Sequence, residues 1–98
     1  MALTTYKREA SMTKQKQWTV PDTVAVFELV ISNKGQWPTG EQFSALMREV
    51  GCSRGSAETV VWRAQSVLGY PVTSARGITR MDRELAALYR ERDPRMRR

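Results

Sequence analysis

Three residues, Gly51-Cys52-Ser53, separate two segments with helical periodicity, and this spacing is the strongest constraint on the fold. The first segment places apolar side chains at i, i+3, i+4 and i+7: Phe43, Leu46, Met47 and Val50. The second follows Ser53, a favoured helix N-cap, with a stripe of small or branched residues: Ala57, Val60, Val61, Ala64, Val67 and Leu68. Two amphipathic helices joined by so short a glycine-containing turn are typical of a helix-turn-helix, although an αα-hairpin in another small bundle would use a similar turn.

Capping boxes define the two helices that come first in the chain. Thr19-Val20-Pro21-Asp22 predicts a helix with Thr19 as its N-cap, and the apolar periodicity continues to about Asn33. Thr39, with Gln42 three positions later, predicts the start of a second helix, which Gly51 ends.

The residues after the third helix predict a β-hairpin. That helix ends at Leu68-Gly69, after which residues 70–73 have the composition of a short strand, residues 74–77 of a turn and residues 78–80 of a returning strand. A hairpin directly after the second helix of a helix-turn-helix is a wing. The sequence therefore predicts a mainly α fold with a small β-hairpin: a winged helix-turn-helix with a three-helix core, a two-stranded wing and a C-terminal helix.

Two short motifs in this region resemble a known family. Ser53-Arg54-Gly55-Ser56 and Leu68-Gly69-Tyr70-Pro71-Val72 are similar to segments of winged helix-turn-helix regulators of the biotin-repressor and DeoR-like kind, of the small phage or plasmid type. The resemblance covers about residues 20–80 and implies sequence-specific binding of double-stranded DNA, with the third helix in the major groove and the wing on the backbone. The chain departs from the family in its short wing and in Trp62, which stands where a polar residue is commoner.

The third helix supplies the candidate base contacts. Four of its side chains can hydrogen-bond to base edges: Arg54, Ser56, Thr59 and Arg63. An arginine paired with the O6 and N7 of a guanine discriminates against other bases by about 1–3 kcal/mol. Contacts with the DNA backbone are expected from Ser53 and three wing residues: Thr73, Arg76 and Arg80. The alternative for each is an ordinary exposed residue, and Trp62 is left open between DNA and a protein interface.

The formal net charge of +6 is unevenly distributed. Residues 21–50 are acidic and the segments on both sides are basic, and twelve of the sixteen cationic residues are arginine. This pattern fits a nucleic acid, an acidic protein surface or anionic lipid. Residues 1–17 are polar and aperiodic, which predicts either a solvated tail or a basic arm that follows phosphates or enters a minor groove; its cations are Lys7, Arg8, Lys14 and Lys16.

A last helix is predicted over residues 81–93, with Asp82 as its N-cap and Pro94 after its end. Its narrow apolar stripe either packs on the same domain or pairs with a second copy; the stripe contains Leu85, Leu88 and Tyr89. We favour a homodimer, because a small DNA-binding domain usually needs two copies to read a specific site. Residues 94–98 form a basic tail beyond the winged helix-turn-helix domain of residues 18–80 and this helix.

Other function classes lack the residues they require. The chain has no histidine and a single cysteine, Cys52, which argues against a metal site or a disulfide framework and favours the cytoplasm. We find no nucleophile with a neighbouring base, no paired catalytic carboxylates and no phosphate-binding glycine loop, so we expect no enzyme activity and no cofactor. No membrane span, secretory signal or separate ligand-binding domain is evident in the sequence.

These features together predict a sequence-specific DNA-binding protein, a small transcriptional repressor or accessory regulator of the phage or plasmid kind. The alternative is a winged-helix protein-interaction module, a phage or plasmid accessory factor that docks on a replication or transcription complex. The exposed face of the third helix distinguishes them: arginine, serine and threonine there suit DNA, whereas Trp62 and Glu58 suit a protein.

Overall fold

Four helices form the part of the chain, residues 16–96, that a computed structural model describes. They are α1 (Val20–Ser32), α2 (Gly40–Val50), α3 (Arg54–Val67) and α4 (Arg80–Arg92), and a short 3₁₀ turn follows at Pro94–Met96. No helix within residues 16–96 is long and apolar enough to cross a membrane.

Side-chain caps set the starts of all four helices. Thr19 and Thr39 are the N-caps of α1 and α2, and each forms the reciprocal capping box that the sequence predicts. Ser53 caps α3 by accepting a hydrogen bond from the backbone N–H of Ser56 at 3.2 Å. The predicted positions of the first three helices are therefore confirmed to within a residue or two.

The core lies where α1, α2 and α4 meet α3, which contacts all three. Large side chains from α1 and α2 are fully buried there, Phe27 and Phe43 among them, against small or branched residues of α3 such as Ala57, Val61 and Ala64. Fully burying an aliphatic or aromatic side chain of this size is worth about 1.5–3 kcal/mol. Because the small residues of α3 face the core, Trp62 and most of its polar residues lie on the other faces; Gln65 is buried and donates to the Gly35 carbonyl at 3.0 Å.

Side chains also fix the link between α1 and α2. The amides of Asn33 and Gln42 exchange two hydrogen bonds of 2.8 and 2.9 Å, which join the end of α1 to the start of α2. Between them, Gly35 has a φ of 81° and places its backbone against the ring of Tyr70. A Cβ at this position would lie 2.3 Å from the Tyr70 ring, so only glycine fits.

The predicted two-stranded wing is wrong, because no strand is present within residues 16–96. Polar groups of the segment after α3 bond to α3 instead of across a hairpin. The Trp62 indole donates to the Thr73 carbonyl at 2.7 Å, and the Ala75 N–H donates to the Ser66 hydroxyl oxygen at 3.2 Å. Pro71 has no N–H to offer a ladder. The described chain is all-helical, and the predicted winged helix-turn-helix fold is corrected accordingly.

The last helix also starts earlier than predicted. Its N-cap is Thr79, and Asp82, predicted as the N-cap, is the third residue of the helix and completes a capping box with Thr79. Arg80, expected on the returning strand of the wing, is therefore the first residue of α4. The 3₁₀ turn begins at Pro94, as expected of a proline that follows a helix end.

Candidate nucleic-acid interface

The turn between α2 and α3 is built by local backbone chemistry. Gly51 adopts a left-handed conformation, with φ 72° and ψ 56°, and its N–H donates to the Met47 carbonyl at 2.8 Å. Cys52 is partly buried below the turn, and this burial raises the pKa of its thiol. Two residues later α3 begins, so one left-handed residue and one side-chain cap complete the turn between α2 and α3.

The first two turns of α3 present small and hydroxyl-bearing residues outward. Gly55 and Thr59 are exposed, and Ser56 is half-buried beside them. The Thr59 hydroxyl donates to the Gly55 carbonyl at 3.0 Å, so its oxygen is left to accept a hydrogen bond from a ligand. Small residues let another molecule approach the helix backbone closely.

Arg54 stands at the start of this surface and is held from two sides. Its Nε donates to Glu58 at 3.0 Å, one helical turn away, and its guanidinium carbon lies 4.1 Å from the centre of the Phe43 ring. About half of each charged side chain in the pair is exposed, so the ion pair is worth well under 1 kcal/mol and breaks easily. To turn toward a ligand, Arg54 would give up this weak ion pair and its contact with the Phe43 ring.

Arg63, predicted to contact bases, is placed differently. Its Nε donates to Asp82 of α4 at 2.9 Å, and its side chain is only 16% exposed. The same Asp82 oxygen accepts the Thr79 N–H, while Asp82 Oδ1 is buried without a hydrogen-bond partner within residues 16–96. Arg63 is thus mainly occupied in joining α3 to α4.

The segment from Leu68 to Thr79 lies along α3, at the side where a wing was expected. Trp62 and Ser66, one helical turn apart, hold its middle through the bonds to Thr73 and Ala75. Arg76 follows directly and is exposed, with no hydrogen bond or ion pair to any residue between 16 and 96. Thr73 is also exposed, although its carbonyl is used by Trp62.

Two tryptophans line a groove beside α3. Trp37 is 49% exposed and Trp62 is 37% exposed, which makes them the most exposed aromatic side chains of the described residues. Both face an open cavity of about 740 Å³, with Lys34, Pro71 and Val72 along its walls. No sequence pattern links these two tryptophans, because only the fold brings residues 37 and 62 together.

The residues just before α1 contact the capping box at the start of that helix. Lys16 pairs with Asp22 at 2.8 Å and lies 5.8 Å from the Trp18 ring. The Lys16 ammonium, with the Thr19 N–H, holds the pKa of the Asp22 carboxyl below its usual value. The other predicted arm residues lie outside the described residues; they are Lys7, Arg8 and Lys14.

The apolar stripe of α4 divides between the core and the surface. Leu85 and Tyr89 pack against the core, and the Tyr89 ring stacks on Phe27 with centroids 5.6 Å apart. The Tyr89 hydroxyl donates to Glu28 at 2.7 Å, and burial together with this carboxylate raises the pKa of the phenol well above its usual value. Leu88 remains 44% exposed.

Sequence reasoning misassigned Thr79 to a strand and missed one long-range contact that organises this surface. Thr79 and Asp82 have the three-residue spacing of a capping box, as Thr19 and Asp22 do, and this signal would have placed the start of α4 correctly. The contact of Tyr70 with Gly35 has no signal in the sequence, because it joins positions far apart in the chain. Residues 16–96 contain no cluster of histidine, cysteine or acidic residues suited to a metal ion.

The chain matches no protein-family model, no curated protein and no solved structure at a significant level.

Proposed function

We propose that the protein binds double-stranded DNA, with the N-terminal half of α3 in the major groove, and represses transcription by occupying a promoter. The observation that carries this proposal is the succession of α2, the left-handed turn at Gly51 and α3, with small and hydroxyl-bearing residues facing outward from the start of α3. A helix presented in this way after a tight turn is the usual means by which small helical proteins read the major groove.

The proposed base contacts come from the first turns of α3. Gly55 and Thr59 leave room for a base pair against the helix, and Arg54 stands beside them in a weak, half-exposed ion pair. A guanine offers Arg54 two parallel hydrogen bonds in exchange for the exposed contact with Glu58 and the contact with the Phe43 ring. We assign Arg63 a supporting role, since its partner Asp82 is buried.

The proposed backbone contacts come from the two ends of the surface. Ser53 lies at the N-terminus of α3, where peptide N–H groups favour a phosphate. Arg76 lies on the segment that Trp62 and Ser66 hold against α3. It can therefore contact the DNA backbone, as expected of the predicted wing, although this segment forms no strands. A regulator of this kind would act in the cytoplasm, where the DNA of a bacterial or phage genome is accessible.

The test is a binding titration of the full chain. Fluorescent duplexes from the region upstream of its own gene are compared with random-sequence duplexes at roughly 50 and 200 mM salt. We expect one fragment to bind preferentially, and Arg54→Ala to reduce that preference by about 5- to 150-fold, equivalent to about 1–3 kcal/mol. Arg90→Ala is the matched control, because Arg90 bonds to the Val67 carbonyl at the opposite end of α3. Equal binding to all fragments, indifferent to Arg54→Ala, would contradict the proposal.

A protein-docking function is the second candidate, and the groove between Trp37 and Trp62 favours it. Exposed tryptophans are among the side chains that most often anchor protein interfaces. This candidate predicts little or no DNA binding and a partner interaction that Trp37→Ala weakens strongly. The DNA titration distinguishes the two functions, because only the DNA-binding function predicts a preferred duplex.

A further inference from the structure

The outer face of α4 carries an exposed leucine beside an apolar hollow. Leu88 is 44% exposed, whereas its neighbours Leu85 and Tyr89 are partly buried against the core. The hollow next to it is shallow and open to solvent, with a volume of about 330 Å³, and it is lined by Leu85, Leu88, Tyr89, Arg92, Asp93 and Pro94. A protruding side chain and a receiving hollow therefore lie on the same surface.

Four of the wall residues have the spacing of a helix-packing site. Residues 85, 88, 89 and 92 stand at i, i+3, i+4 and i+7 and surround a hole of the kind that receives one side chain from a facing helix. A contact between two identical copies related by a two-fold axis must use one patch that is complementary to itself. A patch with both a knob and a hole meets this condition.

We propose that this patch binds a second copy of the chain, with the two α4 helices antiparallel and Leu88 of each copy in the hollow of the other. The inference goes beyond DNA binding and holds whether or not α3 contacts DNA. It assigns the contact between copies to Leu88 and not to the whole apolar stripe predicted from the sequence, because Tyr89 packs in the core of its own copy.

The charges along α4 favour the antiparallel direction. Glu84 and Arg92 are exposed and oppositely charged, and they stand one helical turn before and after Leu88. With the two-fold axis beside residue 88, residue 84 of one copy lies opposite residue 92 of the other. The antiparallel pairing thus brings Glu84 to Arg92 twice, whereas a parallel pairing would bring Arg92 next to Arg92.

Both of these side chains are free to make the new contact. Glu84 and Arg92 are largely exposed, and within residues 16–96 each forms an ion pair only with an exposed neighbour in α4: Arg80 at 3.1 Å for Glu84, and Glu91 at 4.0 Å for Arg92. Exposed pairs of this kind are worth little, so either side chain can add a partner across the interface at low cost. With one leucine and one ion pair from each copy, the dimer is expected to be weak and dependent on concentration.

Sedimentation equilibrium of the full chain without DNA tests the proposal over a hundredfold range of protein concentration. We expect a monomer–dimer equilibrium in which Leu88→Glu weakens association at least tenfold. Glu84→Arg and Arg92→Glu should each weaken it about three- to tenfold. The double reversal Glu84→Arg/Arg92→Glu should return it to within about threefold of the original chain, because each ion pair across the interface is then restored with its two charges exchanged.

Matched controls separate the interface from charge and stability. Glu49→Arg changes the net charge as Glu84→Arg does, but on an exposed position of α2, and should leave association unchanged. Thermal unfolding of each variant at low concentration checks that the monomer is intact. A chain that stays monomeric at every concentration, or a dimer unaffected by Leu88→Glu, would overturn the proposal, and failure of the double reversal would overturn the antiparallel arrangement. None of these results depends on DNA binding, which the titration above tests separately.

Discussion

The two connections at the ends of α3 are built in different ways. At its start, residues 51–53 make their turn with partners a few positions away: Gly51 bonds to Met47, and Ser53 to Ser56. At its end, residues 68–79 are placed by four contacts between residues nine or more positions apart in the chain. Tyr70 lies against Gly35, Trp62 and Ser66 bond to Thr73 and Ala75, and Arg63 pairs with Asp82 just beyond.

This difference shows which parts of the candidate site are robust. The turn before α3 depends on one backbone conformation and one cap, so a substitution there has a small and local effect. The connection after α3 depends on side chains that must all be in place at once. We therefore expect larger losses of stability when its contacts are removed, and these losses can be ordered.

The contact between Arg63 and Asp82 should be the most costly to remove. Asp82→Ala leaves the largely buried Arg63 guanidinium without its partner and removes the acceptor for the Thr79 N–H. Breaking one side of a buried ion pair costs about 3–5 kcal/mol. Urea denaturation followed by circular dichroism measures this change in the free energy of unfolding.

Two further variants separate the charge of Asp82 from its cap. Asp82→Asn keeps an oxygen for the cap and for Arg63 but removes the charge, so its effect should be smaller than that of Asp82→Ala. Thr79→Ala removes only the cap side chain and should cost about 1 kcal/mol. If Asp82→Ala costs no more than Thr79→Ala, the buried ion pair does not stabilise α4 as described.

Gly35→Ala should cause the second-largest loss in the free energy of unfolding. The new methyl group would overlap the Tyr70 ring, where a Cβ would lie 2.3 Å from the nearest carbon, and the backbone has a φ of 81°. Overpacking and left-handed strain together predict a loss of about 2–4 kcal/mol in the free energy of unfolding. Gly77→Ala is the control, since Gly77 has a φ of 74° but no atom within 4 Å of the added Cβ. Equal losses for the two variants would show that Tyr70 moves aside freely.

The helices could be predicted from the sequence because their signals are local. Thr19 with Asp22, Thr39 with Gln42, and Gly51 before Ser53 each fix a helix end through residues within a few positions. The apolar spacing of α2 and α3 likewise identified residues that are buried in the core. The position of α3 behind a short turn, which is the basis of the candidate site, therefore follows from the sequence.

The segment after α3 could not be predicted in the same way. Residues 70–80 have the composition of a hairpin, but the Trp62 indole and the Ser66 hydroxyl bond to this segment and replace the cross-strand partners. Arg63 has the spacing of a base-contacting residue, and only the approach of α4 brings the Asp82 carboxylate to it. Local composition contains no information about either contact.

Within the turn before α3, Gly51→Ala should lower the free energy of unfolding by about 1–2 kcal/mol. The left-handed conformation, with φ 72°, disfavours a side chain, but no atom lies within 4 Å of the added Cβ. The control is Gly55→Ala inside α3, where alanine is the better helix former and should raise the free energy of unfolding by about 0.5–1 kcal/mol. Thermal unfolding of the two variants should shift in opposite directions, and a loss for Gly51→Ala as large as that for Gly35→Ala would remove the contrast between the two connections.

Trp62→Phe should have a smaller effect on stability, with a clear local signature. It removes the hydrogen bond to the Thr73 carbonyl, worth about 1 kcal/mol, and retains most of the ring. The Ala75 N–H, which bonds to Ser66 nearby, should then exchange with solvent several times faster in amide hydrogen-exchange NMR. Trp37→Phe is the matched control, because Trp37 contacts Phe43 and makes no bond to this segment. Unchanged exchange at Ala75 in Trp62→Phe would show that the indole does not hold the segment.

The last prediction concerns the ionisation of Tyr89, which joins α4 to α1 and should have the smallest effect on stability at neutral pH. Burial and the Glu28 carboxylate raise the pKa of this phenol in the folded chain above its usual value of 10.0. The folded state therefore holds the proton more tightly than the unfolded state, so this contribution to stability is complete below pH 10 and is lost as pH rises toward the folded pKa. Urea midpoints at about pH 9 and about pH 11 should fall further for the original chain than for Tyr89→Phe, which has no proton to lose. Other groups that titrate in this range are common to both chains, so equal falls would mean that the Tyr89 pKa is not raised by folding.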